Sequence, residues 1–168
     1  MRVDHFEEDG VIAGLILAAR QHIEQETGLA LCTQTLRGTL DAFPAGKAMA
    51  LPAHPVQSVT AVRYFNEAGS LIEWPAGEWE TDLTGIVPRI APRNGFAWPT
   101  PGQKLGAVQV EFVAGYGGPE LVPQPVMQAL RILVAHYYEH RELVVTGTTV
   151  NELPMTVKAL IAPYRCFA

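Results

Sequence analysis

The sequence predicts an α+β fold: a small helical bundle formed by the N- and C-terminal helices, with an antiparallel β region inserted between them. Apolar residues recur at helical spacing near both ends, over about residues 7–27 and 125–143, and again briefly from residue 154. Between the ends, short alternating stretches are cut repeatedly by Pro and Gly, which marks short strands. The 168 residues suffice for one sizeable core and fall short of two full domains. The chain therefore reads as a single domain, 1–168, with helix 7–27, a β insertion over about 30–115, helix 125–143 and a C-terminal segment over about 154–168.

Each element has its own signal. Glu7, Glu8 and Asp9 place negative charge where a helix N-terminus favours it. Val11, Ile12, Leu15, Ile16, Ala19 and Ile23 then form the apolar stripe of the first helix, and Gly28 is its expected cap. Ala30–Leu40 alternates and is rich in Thr, as a strand is. Phe43-Pro-Ala-Gly46 turns the chain, and Ala48–Leu51 is a short apolar piece. Pro55 opens a strand over Val56–Phe65, with Val56, Ser58, Thr60, Val62 and Tyr64 on one face and Gln57, Val59, Ala61 and Arg63 on the other. Asn66-Glu-Ala-Gly69 makes a hairpin returning through Ser70–Trp74.

Residues 75–105 form an irregular centre, with short strands expected at Trp79–Asp82 and Gly85–Ile90. Ala107–Ala114 is the cleanest strand pattern, and Gly115-Tyr-Gly-Gly-Pro119 is its turn-like exit. Pro123 and Pro125 precede the second long helix, with Val126, Ala129, Leu130, Leu133, Val134 and Tyr137 on its apolar stripe. Residues 144–153 read as a mobile loop, and Pro154–Ile161 as a last short helix stopped by Pro163.

Composition narrows the function. Charged residues make up only 17 %, against roughly a quarter in a typical soluble protein, so part of the surface is expected to be covered by partners. A net charge of −5 argues against a general nucleic-acid-binding face. No secretory leader is legible, and the longest apolar run, near Val11–Ala19, falls far short of the ~20 residues a bilayer needs. A soluble protein with no membrane partner, made and kept in the cytoplasm, is the expectation. Cys32 and Cys166 match no metal spacing and read as small apolar residues of a reducing compartment, with a disulfide left open.

Residue types that do chemistry do not gather. His136 and His140 stand at i and i+4 near Glu139 and Glu142, but the run His136-Tyr-Tyr-Glu-His140 lacks the Glu that a zinc-protease helix places after its first His. Gly115–Pro119 lacks the Lys and Ser or Thr of a phosphate loop. No Gly-x-Ser-x-Gly nucleophile elbow occurs. Glu78, Glu80 and Asp82 alternate along a strand beside Trp79, as an exposed edge does, and Arg89, Arg93 and Lys104 are too dispersed around Phe96–Trp98 for a nucleic-acid groove. No catalytic, cofactor-binding or metal residues are assigned, no cofactor is expected, and the protein is expected not to be an enzyme. The C-terminal segment differs: Leu153–Ala168 is apolar and holds two basic residues and no acidic one. It must bury Met155, Val157, Leu160, Ile161, Tyr164 and Phe167 against its own domain or in another protein.

Several phrases, in order and over nearly the whole chain, resemble the head–tail connector (adaptor) proteins of long-tailed bacteriophages and gene transfer agents. They are Leu15–Leu29, Gln34–Leu36 with Leu40–Pro44, Leu51–Val59 leading into Val62–Phe65, Trp98-Pro99, Val110–Tyr116, Pro125–Glu142 and Leu160–Arg165. In this chain the first helix begins close to the start of the sequence, with little before it.

The resemblance implies a structural virion protein. It would form a homo-oligomeric ring of twelve subunits, matching the portal's symmetry, with helices side by side, docked on the portal protein. The ring extends the DNA channel, which DNA crosses without specific binding, and offers a surface to a stopper or tail-end protein. It implies assembly in the bacterial host cytoplasm and residence at the head–tail interface of the virion. It also assigns portal contact to Met155, Val157, Leu160, Ile161, Tyr164, Arg165 and Phe167, and a chain cut after Glu152 is expected to fold without attaching. The alternatives are a small metal-dependent hydrolase or nuclease using His136, His140 and a nearby Glu, or another virion ring such as a stopper or tail completion protein.

Overall fold

The computed structural model describes residues 9–85, 87–140 and 154–165. The expected residues 7–8 and 141–143 of the two long helices, the 144–153 loop, Cys166 and Phe167 lie outside the described residues. The fold is α+β, as the sequence predicts: among the described residues, three α-helices come from the two ends of the chain and seven short strands lie between them.

Helix α1 spans Asp9–Thr27. Leu15, Ala19, Ile23 and Thr27 are its buried residues, one every four positions, so they share one side. Gly28 ends the helix at φ +74°, a left-handed conformation only glycine adopts readily, and its N–H donates to the Glu24 carbonyl (2.9 Å). Val11 and Ile16, expected on the packed stripe, are exposed instead. Helical period alone could not tell a packed apolar position from an uncovered one.

Seven strands follow: β1 (Gln34–Leu40), β2 (Met49–Ala50), β3 (Val56–Phe65), β4 (Leu71–Glu73), β5 (Trp79–Asp82), β6 (Arg89–Pro92) and β7 (Val108–Ala114). All named strand pairs are antiparallel. They form a four-stranded sheet, β1-β7-β3-β4, and a three-stranded sheet, β2-β6-β5. In β7, Val108, Val110, Phe112 and Ala114 are buried while Gln109, Glu111 and Val113 are half-buried on the opposite face, because β7 lies in the middle of the larger sheet.

Strand β3 departs from the simple alternation expected of it. Its register against β7 shifts between Val56 and Ser58 and again between Val59 and Ala61. Each β-bulge adds a residue, so Val56, Val59, Val62 and Tyr64 all fall opposite the buried positions Ala114, Phe112, Val110 and Val108. Strand β1 begins four residues later than expected. The N–H of Ala30 donates to the His54 carbonyl (2.8 Å) and that of Leu31 to Glu24 Oε1 (2.9 Å), which commits residues 29–31 to the junction between helices and sheet. The expected strand Gly85–Ile90 lies instead at Arg89–Pro92, because an Asp82–Thr84 turn ends β5 and pairs Asp82 with Arg89.

Helices α2 (Gln124–Glu139) and α3 (Met155–Ile161) complete the bundle. The apolar interior has two parts. Ala19, Ile23, Leu29, Leu31, Val126, Ala129, Leu133, Val157 and Ile161 build a helical core. Ala30, Met49, Leu51, Val62, Trp74, Ile90, Val110 and Phe112 build a β core. Leu29, Ala30 and Leu31 supply both, so this short segment is the seam.

Candidate interaction surface

The C-terminal segment packs on its own domain. Pro154 precedes α3, and its carbonyl accepts the Lys158 N–H (3.1 Å). Val157 and Ile161, four apart and therefore on one helix face, are 0 % exposed within the helical core. Leu160 and Tyr164 pack half-buried beside them. Two polar links fasten the far end: Arg165 pairs with Glu26 of α1, and His54 Nε2 hydrogen-bonds the Tyr164 carbonyl (3.2 Å). Burial holds the His54 imidazole below its ordinary pKa. Met155, by contrast, is 83 % exposed.

The seven residues expected to meet a partner therefore divide. Met155 is presented to the outside, Leu160, Tyr164 and Arg165 are partly so, and Val157 and Ile161 face inward. Phe167 lies outside the described residues. The expectation that a chain cut after Glu152 folds normally is corrected on this geometry. Such a cut removes Val157 and Ile161 from the helical core and the Arg165–Glu26 pair with them.

The other constellations resolve one by one. The His136 and His140 rings lie 4.5 Å apart at the end of α2, and His140 Nδ1 donates to the His136 carbonyl (2.9 Å). Among the described residues no three His, Cys, Asp or Glu side chains converge as metal ligands. Glu78 accepts from Trp74 Nε1 (2.7 Å), Asp82 pairs with Arg89 (2.5 Å), and Glu80 stands exposed between them. Arg93 Nε donates to the Trp79 carbonyl (3.0 Å), and Lys104 Nζ sits 3.6 Å over the Phe65 ring, so Arg89, Arg93 and Lys104 do not converge. Gly115 is fixed by a close approach: at φ +127°, a Cβ there would lie 2.4 Å from the Cys32 carbonyl oxygen. Cys32 is an exposed free thiol.

The outer face of the larger sheet carries a charge ladder not anticipated from sequence. Arg37 on β1, Glu111 on β7, Arg63 on β3 and Glu73 on β4 join in line: Arg63 donates to Glu73 (2.9 Å) and Glu111 (3.0 Å), and Arg37 reaches Glu111 at 3.5 Å. The Arg63 hydrogen bond in particular holds the Glu111 carboxyl below its ordinary pKa. The Arg63–Glu73 rung rests on the observed hairpin register, which pairs Phe65 with Leu71, one residue beyond what a four-residue Asn66–Gly69 loop would set. The others need the β3–β7 and β1–β7 pairings, which join segments far apart in sequence. Among the described residues, no helix is long and apolar enough to cross a membrane.

No protein-family profile matches the chain, and no curated protein sequence does. Solved structures do. A chain in the neck of an empty gene transfer agent (GTA) particle computed with C6 symmetry is 31 % identical, covering 100 % of this chain and 83 % of that one at a TM-score of 0.80. A chain in the virion of a native GTA particle is 30 % identical over 99 % of this chain and 85 % of that one, again at 0.80. A chain in the neck of a native GTA particle computed with C12 symmetry is 30 % identical over 94 % and 83 %, at 0.76. Likeness of this extent in both sequence and fold carries the resemblance of the individual phrases to a conclusion: the chain belongs to the head–tail connector family of gene transfer agents and long-tailed bacteriophages.

Proposed function

We propose that this protein is a structural, non-enzymatic component of the virion neck. As one connector domain over residues 1–168, it acts as an adaptor: a ring subunit that docks on the portal, extends the DNA channel and presents a surface to the stopper or tail-end protein. The observation that carries this reading is the near full-length likeness to neck chains of particles computed with C6 and C12 symmetry. Subunits related by such an axis form a closed ring through unlike faces, and the low charged share of 17 % suits a chain that gives surface to neighbours. The net charge of −5 suits a conduit that lets DNA pass without gripping its phosphates. Assembly takes place in the bacterial host cytoplasm, and the finished protein stays at the head–tail interface.

Portal contact falls to the C-terminal segment: Met155 leads on its outer side, and Leu160, Tyr164, Arg165 and Phe167 share the role. Val157 and Ile161 act from within, by holding α3 in place. The test is co-sedimentation of the purified chain with portal-bearing capsids that lack a neck. The wild type co-sediments, and Met155→Asp loses at least about tenfold in affinity while melting as the wild type does. No binding by the wild type, or binding only after a tail-end protein is added, refutes the adaptor role.

A further inference from the structure

The N-terminal half of α1 is built to be enclosed. From Gly10 to Ala19 the sequence is Gly-Val-Ile-Ala-Gly-Leu-Ile-Leu-Ala-Ala, with no polar side chain between Asp9 and Arg20. Only Leu15 and Ala19 of these ten are buried. Val11 is 49 %, Ile16 45 % and Leu17 49 % exposed. At about 100° per residue these three point in different directions, so the half-helix is greasy all round rather than striped. A helix apolar on every side is normally buried on every side. A bilayer does not explain it, since no helix among the described residues is long and apolar enough to cross one.

The glycines agree. Gly10 and Gly14 lie inside the helix, where glycine is less favourable than alanine, yet a Cβ at either would meet nothing within 4 Å. The described fold gives no reason for glycine at either position, and close approach of another backbone does.

We propose that the Gly10–Ala18 half of α1 is the seat of subunit–subunit contact, enclosed by a second copy of this chain with Val11, Ile16 and Leu17 as its anchors. This rests on the ring proposed above. A ring requires each subunit to bury an uncharged surface against an unlike surface of its neighbour. Among the described residues, no other run of exposed large apolar side chains on one helix matches this one.

Purified wild type, Leu17→Glu and Gly14→Ala are compared over a concentration series by sedimentation velocity and negative-stain microscopy, alone and with purified portal rings. Thermal melts are recorded in parallel. Wild type closes into rings. Leu17→Glu keeps its melting temperature and loses about tenfold or more of its ring fraction. Gly14→Ala melts higher yet assembles less. Wild-type ring yield from both variants overturns this surface while leaving the ring intact. A marked loss of melting temperature in monomeric Leu17→Glu also overturns it, because the chain would then be covering its own helix. Wild type that never forms rings, even with portal, overturns the ring and this surface together.

Discussion

His54 and Gly115 carry much of the junction between helices and sheet. The His54 backbone donates its N–H to the Gly28 carbonyl and accepts the Ala30 N–H, and its ring bonds the C-terminal turn. Desolvation of the half-buried ring disfavours the imidazolium and outweighs the Tyr164 and Gly28 backbone carbonyls, which favour it. Its pKa is lowered from 6.5 by burial, so the unfolded chain takes up the proton more readily than the folded one. The contribution of His54 is thus complete above about pH 6.5 and is lost as pH falls below it. Wild type should therefore lose more melting temperature between about pH 7.5 and 5.5 than His54→Gln does, and equal slopes would contradict this. At Gly115, a left-handed backbone meets the Cys32 carbonyl, so Gly115→Ala should cost about 2 kcal/mol or more in chemical denaturation. The sequence marked that glycine as a turn. The approach of Cys32, more than eighty residues earlier, is a tertiary fact that no local pattern encodes.

Among the elements, α3 is the one whose role depends on distinguishing two faces. Val157 and Ile161 complete the helical core, so Ile161→Ala should lower unfolding free energy by about 2–5 kcal/mol. Met155→Asp, on a largely exposed position, should change it by no more than about 0.5 kcal/mol. A large effect of Met155→Asp on the isolated protein would mean the segment packs otherwise. The sequence made this helix legible through Pro154 and its four-residue apolar spacing, but its apolar residues fitted self-docking and partner insertion equally. Strand β3 was readable to its ends, Val56 and Phe65, because Pro55 and the Asn66–Gly69 turn bound it. Its facing was not readable, because two bulges reverse the alternation and bulges respond to the partner strand. Strand β7 was legible in both respects, since a central strand with one buried face keeps a strict period of two.

For the whole molecule, the α+β class followed from which periods occur where along the chain. Helical period at the ends and strand period between them leave few arrangements for one core. The pairing of β1 with β7, and the split into two sheets, depended on contacts between distant segments and were not read from sequence. The surface was legible only in aggregate: low charge announced covered faces without saying where they lie. The two surfaces proposed above, the outward side of α3 and the uncharged half of α1, expose large apolar residues, and the ring reading requires both to be occupied in the assembled particle. The most direct measurement is electron microscopy of portal mixed with this protein alone. The account predicts a closed ring coaxial with the portal, of matching subunit number, its C-terminal segments against the portal and the first half of α1 between neighbouring subunits. A protein that stays monomeric and unattached beside intact portal would contradict it.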